Sequence, residues 1–371
     1  MKLKVSFSSF LRTLFGILLL VFYCEYLIFY LVQMHCSWPT LDPTKQENIT
    51  SKENPVRILV IADTHLLGSL KGHWLDKLRR EWQMYRAFQT AVALHQPELV
   101  FVLGDLLDEG SFCSDSEFRY YIERFFSLFQ VPGETTMYVV AGNHDIGFHY
   151  RIHPYTQKRF EEGFNALAVQ LISVRGNHFV LVNSMALEGD GCFLCEPAEK
   201  ELAKVAKLLK CSQSSNEACD RLPATLSAYS RPILMQHYPL YRGSDKDCTD
   251  FDAAPYPERE ERFREKWECL SKEATDQILK QIKPRLALSG HTHHGCTRRL
   301  PVGDGIEITM PSFSWRNKDN PNYALGVFTP NNYAIGKCEM PRESTVINLY
   351  ILGLVGLFIW LCCCNRRRRF P

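Results

Sequence analysis

Met137-Tyr138-Val139-Val140-Ala141-Gly142-Asn143-His144-Asp145 is the stretch on which the reading of this chain turns. Its first five residues form an apolar run of the length of a buried strand. The run stops in a turn that sets an amide, an imidazole and a carboxylate side by side. Alone, Gly-Asn between polar neighbours is a turn signal and no more. Three reactive groups just past an apolar strand also suit a site carried on loops by a rigid scaffold. The neighbouring segments separate the two readings.

The same pattern recurs four times. Val56 to Ala62 reads as a buried strand and ends in Asp63-Thr64-His65. Leu99 to Leu103 ends in Gly104-Asp105-Leu106-Leu107-Asp108-Glu109-Gly110. Ile233-Leu234-Met235 delivers His237, and Leu286-Ala287-Leu288 delivers Gly290-His291-Thr292-His293-His294. Apolar spacing predicts helices over 74–95, 115–130, 197–210 and 271–282, and a further strand over 179–182. Residues 306–309 and 323–328 read as antiparallel strands. Short buried strands alternating with helices define an α/β class with parallel pairing. In such sheets ligands bind beyond the carboxyl ends of the strands, which is where every polar cluster falls.

Carboxylate with imidazole suits zinc, manganese or iron. Asp63, His65, Asp105, Asn143, His237, His291 and His293 are seven candidate ligands. That exceeds one four-coordinate ion and suffices for two if a carboxylate bridges. Two ions ~3.5–4 Å apart form a clamp for in-line displacement at phosphorus. Any one of these histidines alone reads as a satisfied interior residue; the set does not. No cysteine lies in these clusters, which speaks against a zinc-thiolate site.

Asp63-x-His65, Gly104-Asp105-x-x-Asp108, Gly142-Asn143-His144-Asp145, His237 and Gly290-His291-x-His293, in this order, resemble the calcineurin-like metallophosphoesterases over roughly residues 56–295. The resemblance implies a four-layer αββα sandwich. It implies one ion on Asp63, His65, Asp105 and His293, with Asp105 bridging to a second on Asn143, His237 and His291. His144 would protonate the leaving oxygen or bind phosphate, with Asp145 orienting it. Two divalent cations are expected, Mn2+ first, with Zn2+ or Fe as alternatives. Protein phosphatases of the family carry an arginine where this chain has Glu109, which argues against a dianionic protein phosphate. Purple acid phosphatases place a tyrosine ligand where this chain has Leu106-Leu107-Asp108. Asp108 reads as a loop or supporting group, and His294 and Glu109 as residues bordering the site.

The chain has 371 residues and a formal net charge of +2, so nothing suggests a nucleic-acid partner. Leu11 to Val32 and Val346 to Cys364 are almost wholly apolar, long enough to cross a ~30 Å hydrocarbon core. Lys2, Lys4 and Arg12 precede the first run and Arg366 to Arg369 follow the second, which places both tails in the cytosol. The expected division is a cytosolic 1–10, a transmembrane 11–33, a lumenal linker 34–55, a lumenal catalytic domain 56–340, a transmembrane 344–364 and a cytosolic tail 365–371. A cleaved signal peptide is the rival reading of the first run, which is longer than a typical h-region. Glu25 inside that run calls for a partner or an interfacial position. Cys36, Cys113, Cys192, Cys195, Cys211, Cys219, Cys248, Cys269, Cys296 and Cys338 fall between the runs and allow up to five disulfides in an oxidising compartment. Cys192-x-x-Cys195 reads first as a structural bridge, Cys362 to Cys364 as palmitoylation candidates, and Asn48 as a glycosylation acceptor. His149 and His153 read as surface residues, the aromatics over 120–129 as core, and 241–268 as a substrate-shaping insertion or simple elaboration.

A lumenal member tethered at both ends resembles the branch of the family that remodels GPI anchors. That resemblance implies removal of an ethanolamine-phosphate branch from a glycan mannose, with GPI-anchored proteins as substrate. Cargo receptors of the early secretory pathway would be partners. Endoplasmic reticulum exit sites, the ER-Golgi intermediate compartment and the cis-Golgi membrane would be its location. An inactive member that only binds GPI proteins or cargo is the rival class, and another lumenal phosphoester is the rival substrate. All seven ligand positions are filled, which favours the enzyme.

Overall fold

The computed structural model describes residues 7–45, 54–193, 195–213, 219, 226 and 229–367. Lys2, Lys4, Asn48, Arg368, Arg369 and the side chains of Cys364, Arg366 and Arg367 lie outside the described residues. The chain begins with α1 (Phe7–Phe22), a π turn (Tyr23–Leu27) and α2 (Ile28–Gln33), which run on as one helix. Next come β1 (Val56–Ile61), α3 (Trp74–His95), β2 (Leu99–Leu103), α4 (Asp115–Leu128) and β3 (Thr136–Val140). After them follow α5 (Asn143–Ile146), α6 (Pro154–Phe164), β4 (Val169–Val174), β5 (Asn177–Val182) and α7 (Cys195–Gln213). The second half adds β6 (Ile233–Gln236), α8 (Lys272–Ile282), β7 (Leu286–Ser289), β8 (Cys296–Arg299) and β9 (Ile306–Thr309). β10 (Asn322–Phe328), β11 (Tyr333–Glu339) and α9 (Glu343–Arg367) complete it.

Two mixed sheets carry the site. One has the order β11-β10-β1-β2-β3 and the other β4-β5-β6-β7-β9-β8. Strands β1, β2 and β3 pair in parallel, as do β5, β6, β7 and β9. The central parallel strands β1, β2, β6 and β7 are buried almost throughout, which is why they read as apolar runs. Their side chains alternate with period two. Val56, Ile58, Val60, Phe101 and Leu103 meet Phe179, Leu181, Met235 and Leu288 between the sheets. Leu59, Ile61, Val100 and Val102 turn the other way, into a core shared with Met84 and Phe88 of α3 and Phe125 of α4. Helix starts follow local chemistry. Ser114 and Glu117 close a capping box on α4, and the Ser271 hydroxyl accepts from Ala274 N to cap α8.

Some expectations change. Residues 306–309 do not form a purely antiparallel strand. The β8–β9 hairpin turns the chain back, so β9 runs parallel to β7 and antiparallel only to β8. Strand β10 is antiparallel to both neighbours. Among the aromatics of α4, Tyr121, Phe125 and Phe129 are core, whereas Tyr120 and Phe126 are exposed on the opposite face. Among the described residues four disulfides form, Cys36–Cys338, Cys192–Cys195, Cys211–Cys219 and Cys248–Cys296, while Cys113 and Cys269 are buried thiols. Cys192–Cys195 closes the turn that enters α7.

Phe10–Gln33 and Glu343–Cys363 are long and apolar enough to cross a membrane. They pack together: a Cβ on Gly16 would lie 2.7 Å from Leu357, and one on Gly353 2.6 Å from Leu20. Small residues allow this approach where no hydrophobic drive exists between helices. Glu25 finds its partner here, accepting a hydrogen bond from the Tyr350 hydroxyl at 2.6 Å.

Candidate metal centre

The polar groups that end five strands converge. Asp63 and His65 follow β1, Asp105 follows β2, and Asn143 and His144 open α5 after β3. His237 follows β6, and His291 and His293 follow β7, so both sheets contribute at their carboxyl ends. Asp63, His65, Asp105, His291 and His293 all sit in the left-handed backbone region, with φ of 55°, 45°, 47°, 77° and 61°. Non-glycine residues adopt this conformation at a cost, and such residues collect at functional sites. Two motif glycines are fixed by crowding. A Cβ on Gly104 would lie 2.4 Å from the His237 ring, and one on Gly142 2.2 Å from the Asp105 backbone nitrogen.

Asp105 stands in the middle. Its Oδ1 accepts from the His144 backbone N–H at 2.8 Å. Its Oδ2 lies 3.5 Å from His65 Nε2 and 3.4 Å from His237 Nε2. On one side, His65 Nε2 and His293 Nε2 face each other at 3.1 Å, with Asp63 Oδ1 at 3.9 and 3.8 Å. On the other, His237 Nε2 lies 3.1 Å from Asn143 Oδ1 and 3.2 Å from His291 Nδ1. All seven expected ligands are thus in two groups that share one carboxylate.

The hydrogen bonds behind the imidazoles test whether cations fit. His237 Nδ1 reaches the Leu103 carbonyl at 2.8 Å, and His291 Nε2 reaches the Trp267 carbonyl at 2.5 Å. Each ring nitrogen facing a carbonyl must be the donor. With both rings neutral, His237 Nε2 and His291 Nδ1 present lone pairs to each other, an arrangement that a proton or a cation resolves and that metal-ligating histidines adopt. Burial, followed by the neighbouring His237 charge, pushes His291 down to about 3. Burial likewise lowers His65 and His293. Neutral imidazole is the ligating form. His237 differs: burial works against its charge, but Asp105 and Asp63 outweigh it and hold the ring near 9. A proton and a cation compete for that nitrogen.

The groups around the ligands include several surprises. Asp145 does not orient His144. Its Oδ2 accepts from Leu106 N at 3.2 Å and Gly142 N at 2.8 Å, and its Oδ1 from Leu107 N at 2.9 Å. Asp145 occupies the third position of α5, from which a carboxylate folds back onto the helix start. Asp108 takes the expected role instead. His144 Nδ1 donates to its carbonyl at 3.1 Å and lies 3.4 Å from its Oδ1, which is also 3.4 Å from His65 Nδ1. Arg316 Nη2 is 3.0 Å from the same oxygen, and Lys71 Nζ is 3.5 Å from Oδ2. Glu109 is buried but turned away from the centre, accepting from Leu70 N at 3.1 Å and Lys71 N at 2.5 Å. Its charge therefore bears on that loop and not on a substrate phosphate. His294 lies behind the site between Glu258 and Lys318. His149, read as a surface residue, is buried between the Met185 carbonyl and Asp190, whereas His153 is exposed and caps α6.

Sequence reasoning misses Arg316 and Trp267. Arg316 follows β9 on a loop with no periodicity. Trp267 belongs to the 241–268 insertion, whose ring packs 4.8 Å from Phe148 and 5.3 Å from Tyr150 while its carbonyl meets His291.

Two groups of candidate ligands over a shared carboxylate, next to the His144 imidazole, are the arrangement of a metal-dependent phosphoesterase. The description of calcineurin-like phosphoesterases matches residues 56–295, and the chain belongs to that family of hydrolases, which use a binuclear metal centre. Over 90% of its length it is 47% identical to Metallophosphoesterase 1 of Mus musculus, covering 84% of that protein. Over 96% of its length it is 45% identical to Metallophosphoesterase 1 of Xenopus laevis, covering 91%. Metallophosphoesterase 1 of Gallus gallus is 48% identical over 88% of this chain and 83% of its own.

Proposed function

We propose that this chain is a phosphodiesterase tethered in the membranes of the early secretory pathway. It removes an ethanolamine-phosphate branch from a mannose of GPI anchors as their proteins leave the endoplasmic reticulum. The catalytic part lies in the lumen between spans near 11–33 and 344–364, with both tails cytosolic. The four-layer αββα reading accounts for the two sheets and the helices on their outer faces. The observation that carries the catalytic part is Asp105, whose one carboxylate is set between two groups of candidate ligands. Lumenal placement is supported by the disulfides, because all eight bridged cysteines lie between the two apolar helices.

Asp63, His65, Asp105 and His293 would hold one divalent cation, and Asp105, Asn143, His237 and His291 the second. Manganese is the first choice and zinc or iron the alternatives. The cations supply Lewis acidity at the phosphoryl oxygens and an acidified water for in-line attack. Asn143 contributes a neutral oxygen, which limits the negative charge collected around phosphorus. His144 keeps Nδ1 on Asp108 and presents Nε2. Burial opposes its charge, but Asp105 and Asp108 hold its pKa up to about 9. The ring, fixed through Nδ1 on Asp108, gives its proton to the departing mannose oxygen. Arg316, on the same Asp108 oxygen, adds positive charge where the phosphoryl group gains negative charge.

The substrate is tested in cells with and without the protein, by mass spectrometry of their GPI glycans. Retention of the ethanolamine-phosphate branch in cells lacking the protein is expected. Unchanged glycans would remove the remodelling assignment and leave the phosphoesterase standing.

A further inference from the structure

α3 meets both apolar terminal helices. The Arg86 guanidinium lies 4.0 Å from the Tyr26 ring centre and 5.9 Å from that of Tyr30. Arg79 Nε donates to Glu343 Oε1 at 3.1 Å, at the start of α9. The Arg79 guanidinium also lies 5.2 Å over Trp315, whose ring packs 6.2 Å from Phe29. One helix of the catalytic domain is thus fastened to the second half of the first apolar helix and to the start of the second. Tyr26 and Tyr30 lie in the second half of that first helix, one turn apart.

Beside this fastened edge, α3 shows solvent an apolar stripe. Trp74 is 66% exposed, Leu78 59%, and Leu75 and Trp82 are exposed with them. At 100° per residue Leu75, Leu78 and Trp82 fall within about 60° of one another, next to Arg79 and Arg86. In the loop that leads into α3, Leu70 is 76% exposed. A contiguous apolar patch of this kind marks a surface made for a partner. Its position selects the partner, because a stripe on a helix pinned to both spans cannot stand far from the headgroups.

We propose that the Trp74–Leu75–Leu78–Trp82 stripe lies in the interface of the leaflet on the catalytic side and sets the mouth of the metal centre against the bilayer surface. This rests on the reading of the terminal helices as membrane spans. Leu70 and Lys71 join the stripe to the site. Their backbone N–H groups are held by Glu109, and Lys71 Nζ lies 3.5 Å from Asp108. Glu109 thereby has a role: it fastens the membrane-facing loop to the metal-binding motif. A phosphodiester carried on a lipid-anchored glycan enters from the bilayer side, and the metal centre does not have to reach out to meet it. Amphipathic helices with tryptophan and leucine on one face lie about 5–10 Å into such an interface.

The test uses the full chain in phosphatidylcholine vesicles with brominated acyl chains, which quench tryptophan emission on contact. The quenched fraction is compared among the wild type, Trp74→Phe with Trp82→Phe, and Trp360→Phe, whose tryptophan lies within the apolar part of α9. It should fall in both variants. If only Trp360→Phe lowers it, the spans stand and the stripe is not in lipid, which overturns the proposal. That outcome also follows if a protein partner covers the stripe. If Trp360→Phe has no effect, the spanning reading itself fails. A second measurement uses Leu75→Glu with Leu78→Glu. Hydrolysis of a soluble phosphodiester should stay within about twofold of wild type, and hydrolysis of a diester anchored in the vesicle should fall about fivefold or more. Equal effects on both substrates would overturn the proposal.

Discussion

The task read for Asp145, orienting His144, falls to Asp108. Asp108 touches the rings of His65 and His144, so it supports a metal ligand and a proton donor together. Asp145 instead collects three backbone N–H groups. Asp108→Asn should therefore lower kcat with the fold intact. The sign of its pH effect follows from charge. His144 is held up at about 9, so its proton is present below that value and lost above it. Activity should fall on the alkaline side at or below about 9, since cations beside Asp105 weaken its hold on the proton. Removing the Asp108 charge should move that limb to lower pH, as a pH–rate profile will show. Asp145→Ala should instead cost about 3 kcal/mol of stability, because buried donors lose their acceptor, and thermal unfolding reads this directly. The seven ligands were legible because each ends an apolar run. The direction of the Asp145 side chain was not, because it depends on where α5 begins. Arg316 was invisible because only the fold brings its loop to Asp108.

The elements were legible in proportion to their burial. β1, β2, β6 and β7 are almost wholly buried and read plainly as apolar runs, whereas β3 is buried only at Val139 and Val140. β4, β8 and β11 are partly exposed, and their mixed composition gives no comparable signal. The parallel placement of β9 depends on a hairpin, which periodicity does not register. Glu25 announced itself as a charge in an apolar run, but Tyr350, 325 residues away, could not be named from sequence. Pairing of cysteines was likewise open. The Cys36–Cys338 bridge ties the end of the first apolar helix to β11 across 302 residues. Replacing both by serine should lower stability by about 2–4 kcal/mol, seen as a lower unfolding midpoint in the detergent-solubilised chain. Activity on a soluble diester should persist at temperatures where the variant remains folded, because neither cysteine contacts the metal centre.

For the molecule as a whole, the two sheets present their strand ends to one site, and the terminal helices are fastened to α3 beside it. The claim from which the other conclusions follow is that Asp105 joins two cation sites that hydrolyse a phosphoester. The purified full chain, stripped by chelation and reloaded with manganese, is assayed for bound metal and for hydrolysis of a simple phosphodiester, against Asp105→Asn treated alike. The account predicts about two cations per wild-type chain, metal-dependent hydrolysis, and loss of both in the variant by about a hundredfold or more in rate. Wild-type hydrolysis no greater than that of Asp105→Asn, with the cations bound, would contradict it.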